Sequence, residues 1–265
     1  GPGEGERIGF GLLSRFIGAV FLVLLGGLLL LDRALLRANN NQARLDAQTA
    51  ALLSESFVTA NMTLLDRVVE LGLSNERADS LMLHADLARL VSTTPAIHGA
   101  WIVDSTGARR ASVATGSVSS RQMPRGMIDS LLQERLSEQV RVLVVPETPA
   151  AAQSGWIVLM RPLVTPFGKA IGSAAVVVDG DSLRALLGRT HPDTRLSLLV
   201  LAGTDTVVQL GDVREGIQEG QNGTGPLIRL PNGGTWRVVA THALTSQSLR
   251  WGLWAFGIMG VLFLA

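Results

Sequence analysis

Four histidines are the residues best suited to acid–base or metal chemistry in this chain: His84, His98, His191 and His242. None of them has the H-E-x-x-H or similar spacing that places two imidazoles on one metal ion. A nucleophilic serine would be expected in a G-x-S-x-G or S-x-x-K motif, and the sequence contains neither. The phosphate-binding motif G-x-x-x-x-G-K-[ST] does not occur either. The residues therefore indicate binding rather than catalysis.

Composition narrows the chemistry further. The chain has no cysteine, which excludes thiolate catalysis, cysteine-ligated zinc, iron–sulfur clusters and disulfides. Its formal net charge is +1, so a nucleic-acid partner has little electrostatic support. We therefore expect no cofactor, no metal site and no nucleic acid.

Apolar residues make up 47% of the chain, and the excess over a soluble protein lies at its two ends. Residues 16–31 lack any polar side chain, and spanning a bilayer core takes roughly 20 apolar residues. If Arg15 extends to the interface, the predicted transmembrane helix is 12–31, after a cytoplasmic N-terminus at 1–11. A cleaved signal peptide is the alternative, but its small-x-small cleavage site does not follow.

A second apolar segment, 251–265, reads WGLWAFGIMGVLFLA. Trp251 and Trp254 occupy positions typical of an interfacial aromatic belt. The segment is shorter than the roughly 20 residues that a span needs, so it is predicted to be the truncated start of a second transmembrane helix. The alternative is the buried C-terminal helix of a soluble fold.

Arginines flank the first apolar segment on both sides, so their count does not decide its orientation. Long domains are translocated largely regardless of charge. A folded domain of roughly 200 residues between two spans is the layout of an exported sensor. We therefore expect the domain to be extracytoplasmic, in the periplasm of an inner-membrane protein.

Periodicity predicts how the middle of the chain is built. Apolar residues recur at helical spacing from Leu45 to Leu71 with no proline or glycine before Gly72, which predicts one long helix that can act as a lever on the membrane. Further helices are predicted at 76–92, 125–139 and 181–189. Strands are predicted at 100–103, 108–114, 140–145, 156–164, 170–179, 196–202, 206–210, 227–230 and 235–242. The fold class is therefore α+β, with an antiparallel sheet led by the long helix and a smaller β-rich unit near the membrane.

Two phrases of the sequence resemble the Cache (PDC) family of extracytoplasmic sensor domains, which have a PAS-like fold. ARLVSTTPAIHGAWIVDSTGARRASV is similar to the family's helix, proline, first strand, Asp-x-x-Gly turn and second strand. GWIVLMRPLVTPFGKAIGSAAVVVDGDSLRALL is similar to its central strand pair, which ends in an aspartate and a helix. The resemblance covers about 45–189. The remainder is predicted to be either a second module or an extension of the first.

The resemblance implies four ligand-binding residues by their position: Trp101, Arg121, Arg161 and Asp179. An inward-facing arginine would pair with a carboxylate ligand, and an aspartate would hold an amine. Arg161 also fits a solvated charge at a strand end. Family members that bind amino acids carry a pattern containing tyrosine, and this chain has no tyrosine. The ligand expected from the sequence is therefore a small molecule that carries a carboxylate.

The resemblance also implies the function of a sensory input region. The predicted domains are a Cache-like sensor at 32–189 and a second module or extension at 190–248. The output that would follow is predicted to be a histidine kinase, with a diguanylate cyclase or phosphodiesterase, or a chemoreceptor, as alternatives. A membrane-tethered periplasmic scaffold without a small ligand is the alternative from another class. The expected partners are the lipid bilayer and a second copy of the chain.

Overall fold

The computed structural model describes residues 4–74, 80–94, 97–114, 141–145, 154–192, 196–211, 225–230, 234–242 and 254–255. The helices are α1 Glu4–Ser74, α2 Ser80–Thr93 and α3 Gly180–Thr190. The strands are β1 Ile97–Asp104, β2 Arg109–Ala114, β3 Arg141–Val145, β4 Trp156–Val164, β5 Ala170–Asp179, β6 Leu196–Ala202, β7 Asp205–Leu210, β8 Leu227–Arg229 and β9 Thr235–His242. The predicted α+β class, with a long N-terminal helix and antiparallel sheets, is confirmed.

Two compact units divide the chain: residues 1–44 together with 242–265, and residues 45–241. In the first unit, α1 is apolar and long enough to cross a membrane. Its most apolar 18-residue stretch has a mean hydropathy of 2.2, and none of the residues in that stretch is buried. Among the described residues it is the one helix that meets these criteria. The predicted second span at 251–265 and the predicted helix at 125–139 lie almost wholly outside the described residues.

The second unit is built on a five-stranded antiparallel sheet with the strand order β2-β1-β5-β4-β3. Residues of α1 spaced three or four apart form a buried stripe, as a helix packed on one side requires. These residues are Ala47, Ala50, Ser54, Val58, Asn61, Leu65, Val68 and Gly72. A Cβ atom at Gly72 would lie 3.1 Å from the side chain of Leu163, so the helix and β4 approach closely. The stripe therefore covers one face of the sheet.

A second sheet has the strand order β7-β6-β9-β8. It meets the first sheet where β4 and α3 begin. The Gly155 amide donates to the Val207 carbonyl at 2.9 Å, and the Gly180 amide donates to the Gly155 carbonyl at 3.0 Å. A Cβ atom at Gly180 would lie 2.4 Å from that Gly155 oxygen, closer than two such atoms can approach. Glycine at this position thus lets α3 begin directly beside Gly155, whose amide bonds to the second sheet.

The β1–β2 turn confirms the hairpin that Asp104-Ser105-Thr106-Gly107 predicted. Asp104 Oδ1 accepts hydrogen bonds from the Thr106 amide at 2.8 Å, the Thr106 hydroxyl at 2.6 Å and the Ala108 amide at 2.9 Å. Gly107 has a φ of 83°, a conformation that favours glycine. The Thr106 hydroxyl, together with the two amides and the charge of Arg110, holds the pKa of Asp104 below its usual value, although burial acts in the opposite direction.

We expect Asp104→Ala to lower the melting temperature by about 2–4 °C near neutral pH, because three hydrogen bonds to an exposed carboxylate are lost. A lowered carboxyl pKa gives stability that is present above the unfolded-state pKa of about 3.9 and is lost as the pH falls through the folded-state pKa. The difference between the two proteins should therefore shrink as the pH drops below about 4. Thermal melts across pH test this, and a difference that grows in acid would contradict it.

Candidate functional site

Two of the sequence-predicted ligand residues, Trp101 and Asp179, lie on the same face of the five-stranded sheet. Trp101 pairs with Ala175 of β5, and Asp179, four residues further along β5, pairs with Trp156 of β4. Cross-strand partners project to the same side, and side chains along a strand alternate between sides. We call this side, which carries Trp101 and Trp156, the indole face. It is the side opposite to α1, whose buried stripe packs with Ala100 and Ile102.

The indole face is apolar and buried. Its cluster consists of Trp101, Val103, Val145, Trp156, Val158, Met160, Ala175 and Val177. Two indole rings supply large, flat apolar surfaces with a negative π face, which can bind an apolar group or a cation. The face is therefore suited to the body of a small molecule rather than to a charged chain.

Asp179 provides a buried carboxylate at the edge of this face, with a side chain 5% exposed. Its Oδ1 accepts a hydrogen bond from the Asp181 amide at 2.9 Å and so caps the N-terminus of α3. Its Oδ2 lies 3.9 Å from Nε2 of His98. Capping fixes the rotamer of the carboxylate, and its second oxygen lies on the side of His98.

His98, one of the four histidines without metal-binding spacing, is a further residue of this site. Its ring centroid lies 5.7 Å from that of Trp156 at an interplanar angle of 59°. A carboxylate, an imidazole and an indole therefore converge at the point where β1, β4 and β5 meet. The signal that could have found His98 is its position at the start of β1, next to the predicted end of β5 at Asp179.

Arg161 lies on the other face of the sheet. It shares the alternation of Ile157 and Leu159, and its Nη1 forms an ion pair with Oδ1 of Asp66 on α1. The two side chains are 42% and 47% exposed. The structure thus does not bring Arg161 together with Trp101 and Asp179. Arg121 lies outside the described residues.

The chemistry available at the indole face follows from its one buried carboxylate. An ammonium group would be held by Asp179 and by the π faces of the indoles, where low solvent access strengthens both interactions. No group of three or more histidine or acidic side chains in the described part of the chain could hold a metal ion. The arrangement therefore combines a carboxylate, an imidazole and two buried indole rings on one sheet face.

Comparisons with known proteins agree on the fold. No family model and no curated protein matches the chain. The extracellular domain of the histidine kinase rpHK1S-Z16 is 15% identical with a TM-score of 0.55, covering 80% of this chain and 97% of that one. The ligand-binding domain of the Campylobacter jejuni chemoreceptor Tlp3, solved with L-valine, is 12% identical with a TM-score of 0.54, covering 80% and 95%.

A third similar structure is an extracellular ligand-binding receptor from Desulfohalobium retbaense, 16% identical with a TM-score of 0.51. The match covers 76% of this chain but only 40% of that receptor. These likenesses define the class of fold, which is that of extracellular ligand-binding sensor domains. The fold implied by the Cache resemblance is thereby confirmed.

We expect Asp179→Ala to destabilise the protein by about 1 kcal/mol, because α3 loses its N-cap. Asp179→Asn keeps an acceptor oxygen in the same position, so the loss of stability should be at most a few tenths of a kcal/mol. Chemical denaturation of the two variants tests the assignment. Equal losses in both would show that the charge of the carboxylate, rather than its capping oxygen, stabilises the fold.

Proposed function

We propose that the chain is the extracytoplasmic signal-sensing input region of a membrane receptor. The observation that carries this proposal is a sensor-domain fold in which a buried carboxylate and two indoles share one sheet face. A histidine kinase is the proposed output, and a diguanylate cyclase, a phosphodiesterase or a chemoreceptor is the alternative. The input region itself binds and does not catalyse.

The proposed ligand is a small molecule with an amino group and an apolar body. The capped carboxylate of Asp179 would receive the amine, and Trp101 and Trp156 would contact the apolar part. The Tlp3 domain with the same fold was solved with L-valine, which has this chemistry. A carboxylate on the ligand would have to be met by a residue other than Arg161, because Arg161 is paired with Asp66 on the opposite face. Arg121 stays the proposed residue for that role.

The proposed route of the signal runs through α1. Binding at the indole face would change the packing of the sheet, and the α1 stripe packs on the opposite face of the same sheet. A coupling free energy of about 1–3 kcal/mol is sufficient to shift such a two-state system. Because α1 continues to Glu4 as one helix, a shift in its seating would extend toward the apolar segment.

We also propose how the chain is divided into domains and placed at the membrane. The sensor would occupy 32–189, with 190–248 as a membrane-proximal module and 251–265 as the start of a second membrane helix. The receptor would lie in the inner membrane with this domain in the periplasm, and it would act as a homodimer. The apolar segment of α1 and the similarity to extracellular domains support this arrangement.

A ligand screen tests the sensing function. Branched-chain and ω-amino acids, together with the corresponding amines and carboxylic acids, are added to the purified chain in detergent, and the melting temperature is measured. We expect amines and amino acids to raise the melting temperature. At a hundredfold excess over Kd, the free energy of unfolding should increase by about 2.7 kcal/mol. Asp179→Asn should abolish that shift while leaving the fold intact.

Arg161→Gln is the matched control for the ligand screen. It removes a charge from the opposite face, where a half-exposed ion pair contributes at most about 1 kcal/mol. The ligand-induced shift should therefore remain. A shift lost in Arg161→Gln but kept in Asp179→Asn would place the ligand on the α1 side and would overturn the site. Failure of every compound would count against small-molecule sensing.

Membrane attachment is tested by flotation on a lipid density gradient. We expect the intact chain to float with vesicles and a variant lacking residues 1–31 and 251–265 to remain at the bottom, because the long apolar stretches are then gone. Only the position of the truncated chain in the gradient is measured. A truncated chain that still floats would contradict the anchoring proposal.

A further inference from the structure

The β4–β5 hairpin ends in an exposed aromatic ring. Phe167 is 96% exposed at the tip. Two backbone hydrogen bonds close the turn that carries Phe167. The Gly168 amide donates to the Thr165 carbonyl at 2.9 Å, and the Thr165 amide donates to the Lys169 carbonyl at 2.9 Å. Gly168 has a φ of 80°, which suits glycine in such a turn. The backbone therefore fixes Phe167 and Lys169 at the tip, and we call these two residues the hairpin knob.

A groove of about 530 Å³ lies between α1 and β4, beside the same hairpin. It is lined by Asp66, Val69, Glu70, Leu73, Arg161, Pro162 and Val164. Four of these residues are apolar, and the Asp66–Arg161 ion pair forms one wall. We call this feature the α1–β4 groove. Its volume exceeds that of a phenylalanine side chain, so it can accept an aromatic ring.

The knob and the groove are complementary in charge as well as in shape. Lys169 is the only lysine in the sequence and is exposed next to Phe167. Glu70 is exposed in the groove, and within the described part of the chain neither side chain has an ion-pair partner. An apolar ring followed by a cation thus matches a groove that has four apolar side chains and an acidic residue without an ion-pair partner among the described residues.

The ring does not occupy the groove of its own chain, as its exposure shows. Knob and groove adjoin at Val164, which lines the groove and ends β4. Each copy of the chain carries both the knob and the groove. Two copies related by a two-fold axis can therefore each insert the knob into the groove of the other. A contact of this kind closes on itself and does not propagate into a filament.

We propose that two copies of the chain dimerise by reciprocal insertion of Phe167 into the α1–β4 groove, with Lys169 of each copy paired to Glu70 of the other. The proposal rests on the homodimer included in the proposed function and assigns its interface. Exposed aromatic anchors that fill apolar pockets are the residues that dominate binding energy at protein interfaces. The surrounding ion pairs fix orientation more than affinity.

Directed cross-linking tests the interface, because the chain contains no cysteine that could react elsewhere. Two differently tagged full-length chains, one with Lys169→Cys and the other with Glu70→Cys, are co-expressed and treated with a short bis-maleimide. We expect a cross-linked heterodimer. Lys169→Cys paired with Asp205→Cys, on an exposed residue of the second sheet, is the control and should give none. No product from the first pair, or equal product from both, would overturn the interface.

Dilution measurements of the dimer in detergent give an independent readout. Phe167→Ser should weaken dimerisation about tenfold or more, whereas Leu227→Ser, which changes an apolar side chain 58% exposed on β8, should not. Lys169→Glu and Glu70→Lys should each weaken it, and the double reversal should restore it. A wild-type dimer unaffected by Phe167→Ser would refute this interface and leave the proposed homodimer intact. A monomeric wild type would refute both, while the ligand screen would still judge the sensing function.

Discussion

The structure depends on the seating of α1 against one face of the five-stranded sheet. The central strands are apolar on both sides, so both sides must be shielded from water, and burial of apolar surface contributes roughly 25 cal/mol per Å². The stripe of α1 shields one side with small residues toward its beginning, such as Ala47 and Ala50, and larger ones such as Leu65 further along. Because this side is filled by the chain's own helix, the proposed function assigns the ligand to the indole face.

Strand alternation links this constraint to the site. Within β1, Ile102 points to α1 and Trp101 to the indole face. Within β5, Val178 faces the helix side and Val177 the other. Under the proposed function, a movement of the sheet backbone on one face would displace side chains that contact α1 on the other. The two faces are mechanically joined through a single layer of backbone.

Much of the fold could be predicted because its signals are local. Helical spacing predicted α1 from Leu45 onward, and Asp104 with Gly107 predicted the first hairpin and its turn. Trp101 and Asp179 were identified by position along strands that form as expected. The grouping of these residues with Trp156 requires the register of β4 against β5, which no local pattern specifies.

The placement of Arg161 shows where reasoning by position was insufficient. Arg161 is five residues from Trp156, and an odd separation along a strand places two side chains on opposite faces. Parity alone would have assigned Arg161 to the side of Leu159, where α1 supplies Asp66. Parity would not have placed His98 beside Asp179, because their approach depends on a register shift at the start of β1. The hydrogen bond from Gly155 to Val207 of β7 is a contact between the two sheets, which sequence spacing cannot reveal.

The carboxylate of Asp179 has two roles under the proposed function, since it caps α3 and would also receive the amine of a ligand. Natural variation at this position is therefore restricted twice. Asparagine, serine and threonine would satisfy the helix, yet each would remove the negative charge. Glutamate would keep the charge but is a poor N-cap. If the proposed function holds, a new ligand preference among descendants of this chain is expected to arise first by substitution of the indoles, with the aspartate retained.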